Sequence, residues 1–147
     1  MLRAFLENIA EPVEAHCDLM CGVYDPAQAR IEAQSVYNAV GKYHQSDDEL
    51  FRQRCVYIKE ERAELVKHHL WVLWTDYFKP HHVEEHPNLH DLIWRATKAA
   101  GDVKKSTNQE DAQNLLDLVD EVGEVFAQTK DGYDYQTVKD NMNAQAV

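Results

Sequence analysis

One imidazole and two thiols lie within six residues in the run His16-Cys17-Asp18-Leu19-Met20-Cys21, directly followed by Gly22-Val23-Tyr24-Asp25-Pro26. Thiolates together with imidazole suit borderline-to-soft transition metals, and coordination deprotonates a thiol that otherwise titrates near 8.5. On spacing alone, half of a zinc knuckle or a pair of idle thiols is as good a reading. The three cysteines are an odd count, and Cys17 and Cys21 are only four apart, so a disulfide framework is not expected and the chain reads as intracellular, hence cytoplasmic. A Cys17–Cys21 disulfide is the oxidation product to expect of a metal-free run. Cys55 stands apart on an apolar helical stripe, where a free thiol behaves as a small hydrophobe.

The elements that must position this run are helical. Apolar spacing follows the helical period almost throughout, and no alternating strand stands out. Asp25 as N-cap, Pro26 at the first helical position and Gln28 three along predict a helix with the face Ala29, Ala33, Val36 and Val40, which Gly41 can end. Ser46 with Glu49 predicts the next start. From there an uninterrupted helix to about Phe78 carries the stripe Phe51, Cys55, Ile58, Arg62, Leu65, His69, Val72 and Asp76. Pro80 stops it, and Pro87 opens a third helix with Leu89, Leu92, Ile93, Ala96, Ala100 and Val103 inward. Thr107 with Glu110 caps a fourth, with Ala112, Leu115, Leu116, Val119, Val122 and Phe126 inward; Asp131-Gly132 ends it. Residues 131–147 read as a polar tail. The expected fold is therefore all-α, an up-down four-helix bundle preceded by the metal-binding run.

The chain has 147 residues, one domain's worth, with a formal net charge of −11. Residues 1–15 hold Arg3 against Glu7, Glu11 and Glu14, which leaves −9 on the rest. That excess argues against nucleic acid or an anionic membrane as a partner, and no apolar run is long enough to span a bilayer. Residues 1–15 lack the apolar centre of a secretory signal and by themselves read as a frayed extension.

The run from His16 to Pro26 resembles the nickel-binding hook of the nickel superoxide dismutases, H-C-D-x-x-C-G-x-Y. The likeness continues through Ala27–Ala33, Ile58–Glu60, Arg62–Leu65, Lys67–His69 and Leu73–Pro80, and covers about His16 to Lys130. It implies an enzyme that disproportionates superoxide to oxygen and hydrogen peroxide by cycling one nickel ion per subunit between its divalent and trivalent states. It implies that a processing peptidase removes residues 1–15 as a leader. Nickel then takes the new amine and imidazole of His16, the amide nitrogen and thiolate of Cys17, and the thiolate of Cys21. It also implies that Glu32 and Arg62 hold the His16 ring, that Tyr24 and Tyr77 flank the open face, and that Asp18 and Lys79 lie close by. A homohexamer is implied as well. Arg62 has an independent argument, since a charge on an apolar stripe is costly unless paired; a snorkelling arginine is the plainer alternative. Met20 departs from the family, which usually has a proline there. A non-proline bond strongly prefers trans, by roughly 2.5–4 kcal/mol, so Leu19–Met20 is expected to be trans before metal binds.

His68-His69 and His81-His82…His86…His90 suggest a second metal site, but Pro87 breaks any single helical face through them, and packing and surface roles are expected. A di-iron carboxylate bundle needs paired Glu-x-x-His motifs, and Glu64 to His68 is one residue too long. A nickel delivery or storage protein would use the same hook without turnover, and a plain helical interaction module would not need the hook at all.

Overall fold

The computed structural model describes residues 22–144. Four long helices, α1 (Ala27–Gln45), α2 (Glu49–Val72), α4 (Leu89–Asp102) and α5 (Gln109–Thr129), form the bundle. Two short helices, α3 (Pro80–Glu85) and α6 (Tyr135–Asn143), lie before α4 and after α5. α1 packs against α2 and α5, and α4 packs against the same two, so the long helices close into a ring around one core. Its interior is built of small and branched residues: Ala33, Val36, Ala63, Val66, Leu70, Ala96, Ala100, Ala112, Leu115, Val119 and Phe126 are fully buried. The inward faces expected of the first, third and fourth long helices are all found buried, as is Cys55. Leu19–Met20 lies outside the described residues.

The stripe expected on α2 is rotated. The buried line is Cys55, Lys59, Ala63, Val66, Leu70 and Leu73, whereas Phe51 and Ile58 are exposed and Arg62, Leu65, His69 and Val72 flank the interior. Ala63 on this line is fully buried in the same core as Ala29 and Ala33 of α1. The displaced apolar residues form a second face, which helical spacing alone cannot tell from the first. Lys59 reaches inward because its ammonium donates to the carbonyls of Lys104 (2.9 Å) and Ser106 (2.6 Å), closing the 3-10 turn Val103–Lys105 that ends α4. Burial pushes its pKa down.

Two starts differ from expectation in the same way. Asp48, not Ser46, caps α2 by accepting from the Phe51 amide, and Asn108, not Thr107, caps α5 by accepting from Glu110. In each case a serine two residues earlier, Ser46 or Ser106, accepts from the cap's own amide and turns the chain into it. Asp25 accepts from the Ala27 amide at 2.8 Å, while Pro26 flanks the first turn. Gly41 does not end α1, which runs on to Gln45. Pro80 opens α3 as well as stopping α2, and Pro87 precedes the α4 flank Asn88 instead of starting the helix.

Residues 131–147 are not simply a tail. Gly132, at φ +73°, reverses the chain after α5, and α6 then docks on the bundle. Its anchor Tyr135 is 3% exposed, lies over Gly123 and donates to Asp120 at 2.9 Å. The buried guanidinium of Arg30 joins the same carboxylate at 2.7 Å, Gln34 at 2.7 Å and Asn143 of α6 at 2.9 Å. Buried polar groups need such partners, and together they cross-link α1, α5 and α6. A methyl group on residue 123 would collide with the Tyr135 ring. Gly123→Ala should therefore cost about 1–3 kcal/mol in denaturant unfolding, although alanine is the better helix former. In a Tyr135→Ala background the same substitution should be neutral or stabilising; an equal cost in both backgrounds would refute this account of the docking.

Candidate metal centre

Of the residues expected at the site, His16, Cys17, Asp18 and Cys21 lie outside the described residues. The chain is described from Gly22, whose φ of +61° suits a residue without Cβ, and leads through exposed Val23 to Tyr24. Tyr24 is 8% exposed, and its ring lies 5.6 Å from that of Tyr77.

Tyr77 owes its position to the end of α2. The segment Leu73–Tyr77 is a π-turn, closed by an i→i+5 hydrogen bond from the Phe78 amide to the Leu73 carbonyl at 2.9 Å. Five residues are about 1.4 turns of an α-helix, so ordinary winding would send Leu73 and Phe78 to different sides. The wider turn buries both and leaves Tyr77 between them. Its ring packs on Phe126 at 4.4 Å and stacks on His82 at 5.6 Å, and its hydroxyl is 2.9 Å from the Thr129 hydroxyl. Such turns recur at functional sites; no residue pattern in the run announces this one.

His82, one of the histidines for which packing and surface roles were expected, is a packed one: it is buried against the Tyr77 ring, a place that the sequence did not single out. Its Nδ1 accepts the Lys79 amide at 3.1 Å, which leaves the ring proton on Nε2. Burial pushes its pKa down, helped by His81 and more weakly by His86 and Lys79, and opposed by Glu85. Lys79 directs its ammonium to the Asp76 carbonyl at 2.9 Å, so the cation sits beside the π-turn.

Glu32 and Arg62 meet across α1 and α2. The guanidinium donates to both carboxylate oxygens of Glu32, at 3.2 and 3.4 Å, and to Glu61 at 3.0 Å. Arg62 is 34% exposed and Glu32 13%, so the arginine is at the rim of the interior and not on the buried stripe. Glu61 first, then Glu32, raise its pKa and keep it charged. Glu32 lies about one and a half helical turns into α1 and Arg62 near the middle of α2, so the pair bridges the two helices along their length. The expected site residues that are described thus fall into two groups: a ring cluster with a lysine, and an acid–arginine pair.

Residues 11–130 match the family model of nickel-containing superoxide dismutase. The chain belongs to the nickel superoxide dismutase family. It is 53% identical over 118 residues to the superoxide dismutase [Ni] of Streptomyces seoulensis and 51% identical to that of Streptomyces coelicolor, in each case covering 80% of this chain and 90% of the relative. A native nickel superoxide dismutase structure superposes with a TM-score of 0.75 at 50% identity, over 78% of this chain and 97% of that one. A nickel superoxide dismutase with nickel ligation corresponding to the oxidised state gives 0.74 at 53% identity over the same shares. α6 lies beyond the family match.

Among the described residues of this nickel superoxide dismutase, no three His, Cys, Asp or Glu side chains converge to hold a metal. His81 and His82 pack edge to face, and His82 is committed to Lys79 and Tyr77. The two thiols and imidazole of the sequence His16-Cys17…Cys21, a donor set that suits nickel, lie outside the described residues.

Because His82 takes up its proton at a lower pH folded than unfolded, the stability it contributes is complete above the ordinary histidine value near 6.5 and fades as pH falls below it. His82→Asn keeps an acceptor for the Lys79 amide but does not titrate. Its melting temperature should fall less between pH 7 and pH 5 than that of the unsubstituted chain; parallel slopes would contradict this assignment.

Proposed function

We propose that this chain disproportionates superoxide to oxygen and hydrogen peroxide at one nickel ion per subunit, held by His16, Cys17 and Cys21 after residues 1–15 are removed. The observation that carries the reading is that the hook sequence runs directly into a buried Tyr24 packed on Tyr77, within a chain of this family. The family match beginning at residue 11, ahead of His16, supports a leader upstream of the hook. Bound in the hook, nickel supplies a one-electron couple that thiolate and deprotonated-amide donors bring into the range useful for superoxide.

The chain's own residues do the rest. Tyr77, fixed by Thr129 and the Phe126 ring, keeps Tyr24 in place, and the two rings restrict access to the open face. Glu32, already oriented by Arg62, accepts from the His16 ring and fixes its orientation, as the partners of metal-ligating histidines do. Lys79 gives a local positive field that draws an anion to a chain of net charge −11. Asp18, the neighbour of Cys17 in sequence, is assigned to the surroundings of the donors. The chain is further proposed to act in the cytoplasm as a homohexamer. Ile31, Phe51 and Ile58, with Leu50, Tyr57 and Trp71, are large apolar residues left exposed, which supports burial against other copies.

The amine is the ligand that decides the test. With residues 1–15 attached, the His16 nitrogen is an amide and cannot donate as an amine. Intact-mass analysis of active protein from its host should show His16 as the first residue, and only the cleaved form should combine nickel content with superoxide turnover. Full nickel-dependent turnover with Met1 in place would sink the proposal, and nickel binding by the cleaved form without turnover would make the chain a delivery or storage protein. Arg62→Ala should lower turnover ~10–100-fold with a smaller change in nickel content; unchanged turnover and an unchanged paramagnetic spectrum would remove Arg62 and Glu32 from the site.

A further inference from the structure

The segment after α5 lies beyond the family match, yet it grips the residues on which the hook stands. The Tyr133 hydroxyl donates to Asp25 Oδ1 at 2.5 Å. The same oxygen accepts the Ala27 amide at 2.8 Å, so one carboxylate both starts α1 and receives the phenol. One residue earlier in the chain, the Tyr24 carbonyl accepts from the Lys130 ammonium at 3.3 Å. That ammonium lies over the rings of Phe126 (5.3 Å) and Tyr133 (5.6 Å), and the two rings meet edge to face at 5.0 Å. Tyr133 is held in turn from behind. Gly132 sets the reversal, and two residues on Tyr135 is buried over Gly123 and tied to Asp120 and Arg30.

We propose that Tyr133 is a positioning residue for the metal hook, and that the C-terminal segment with α6 is a brace that fixes the direction in which the chain leaves the bundle at Tyr24–Asp25. The inference rests on the hook being the nickel site. Three residues separate Cys21 from Asp25, so a change in the backbone at Asp25 shifts the Tyr24 ring and redirects the short chain that leads to the second thiolate. Freezing that root before metal arrives lowers the ordering cost of binding. The Tyr135 ring over Gly123 seats this segment, and its hydroxyl bond to Asp120 adds only to the stability of the seat.

Two hydroxyl deletions separate positioning from mere stability. Tyr133→Phe removes the bond to Asp25 and keeps the ring on Phe126. Tyr135→Phe removes a bond to Asp120 at the far side of the same segment. In the metal-free chain, Tyr133→Phe should speed amide hydrogen exchange at Ala27 several-fold, and Tyr135→Phe should not. In the cleaved protein, Tyr133→Phe should weaken nickel binding against a competing chelator by about three- to ten-fold and shift the paramagnetic spectrum of the oxidised metal. Tyr135→Phe should leave both as they are while lowering the melting temperature. Equal effects of the two variants on exchange, or an unchanged Ala27 rate in Tyr133→Phe, would overturn the brace. If the cleaved protein takes up no nickel, the hook assignment fails, and the exchange comparison in the metal-free chain still decides whether Tyr133 holds the root.

Discussion

The structure depends on how Tyr24 and Asp25 are held. This dipeptide joins the hook sequence to α1 and is held from three sides: by the Tyr77 ring at the end of α2, by the Lys130 ammonium at the end of α5, and by the Tyr133 hydroxyl from the segment leading to α6. Two of these, Tyr77 and Tyr133, reach the dipeptide because of a local break in regular winding. The π-turn shifts Tyr77, and the left-handed Gly132 brings Tyr133 back over Phe126. A bundle of ideal helices would present a smooth end with nothing to hold an incoming chain. Irregularity at this end is what makes it a seat.

The interior answers a second constraint, the placement of charge. Arg30 and Lys59 are almost fully enclosed, and an enclosed charge is tolerable only when its hydrogen-bonding capacity is met. Arg30 spends three nitrogens on Asp120, Gln34 and Asn143; Lys59 spends its ammonium on two carbonyls that α4 leaves open. Both tie the last elements of the fold to the first two helices.

Much of this was legible in the sequence. The inward faces of α1, α4 and α5 follow from helical spacing because those helices present one apolar side each. α2 presents two, and helical spacing does not distinguish the buried line through Ala63 from the outer one. Arg62 drew attention because it interrupted a stripe, but the stripe was the outer one, and the buried charges Arg30 and Lys59 gave no comparable signal. Their partners lie 90 and 45 residues away in sequence. The capping errors share a cause: Ser46 with Glu49 and Thr107 with Glu110 match a capping-box pattern, but Asp48 and Asn108, nearer the helix, are good caps themselves and leave Ser46 and Ser106 to accept the caps' own amides. α6 was missed because its stability comes from Tyr135 and Asn143 docking at Gly123 and Arg30, not from its own nine residues. At the site, Tyr24, Tyr77, Glu32, Arg62 and Lys79 were expected from the resemblance to the family, and the structure pairs Tyr24 with Tyr77 and Glu32 with Arg62, but His82 and Tyr133 become visible only when the π-turn and the Gly132 reversal place them.

The central claim is that a bundle without a metal cluster among its described residues serves a nickel centre whose donors all come from the chain ahead of Tyr24. X-ray absorption at the nickel edge of the cleaved protein tests it most directly. The account predicts two sulfur scatterers bound to nickel together with nitrogen donors, and the loss of one sulfur in Cys21→Ser. A nickel sphere without sulfur, or a sulfur count unaffected by that substitution, would contradict it.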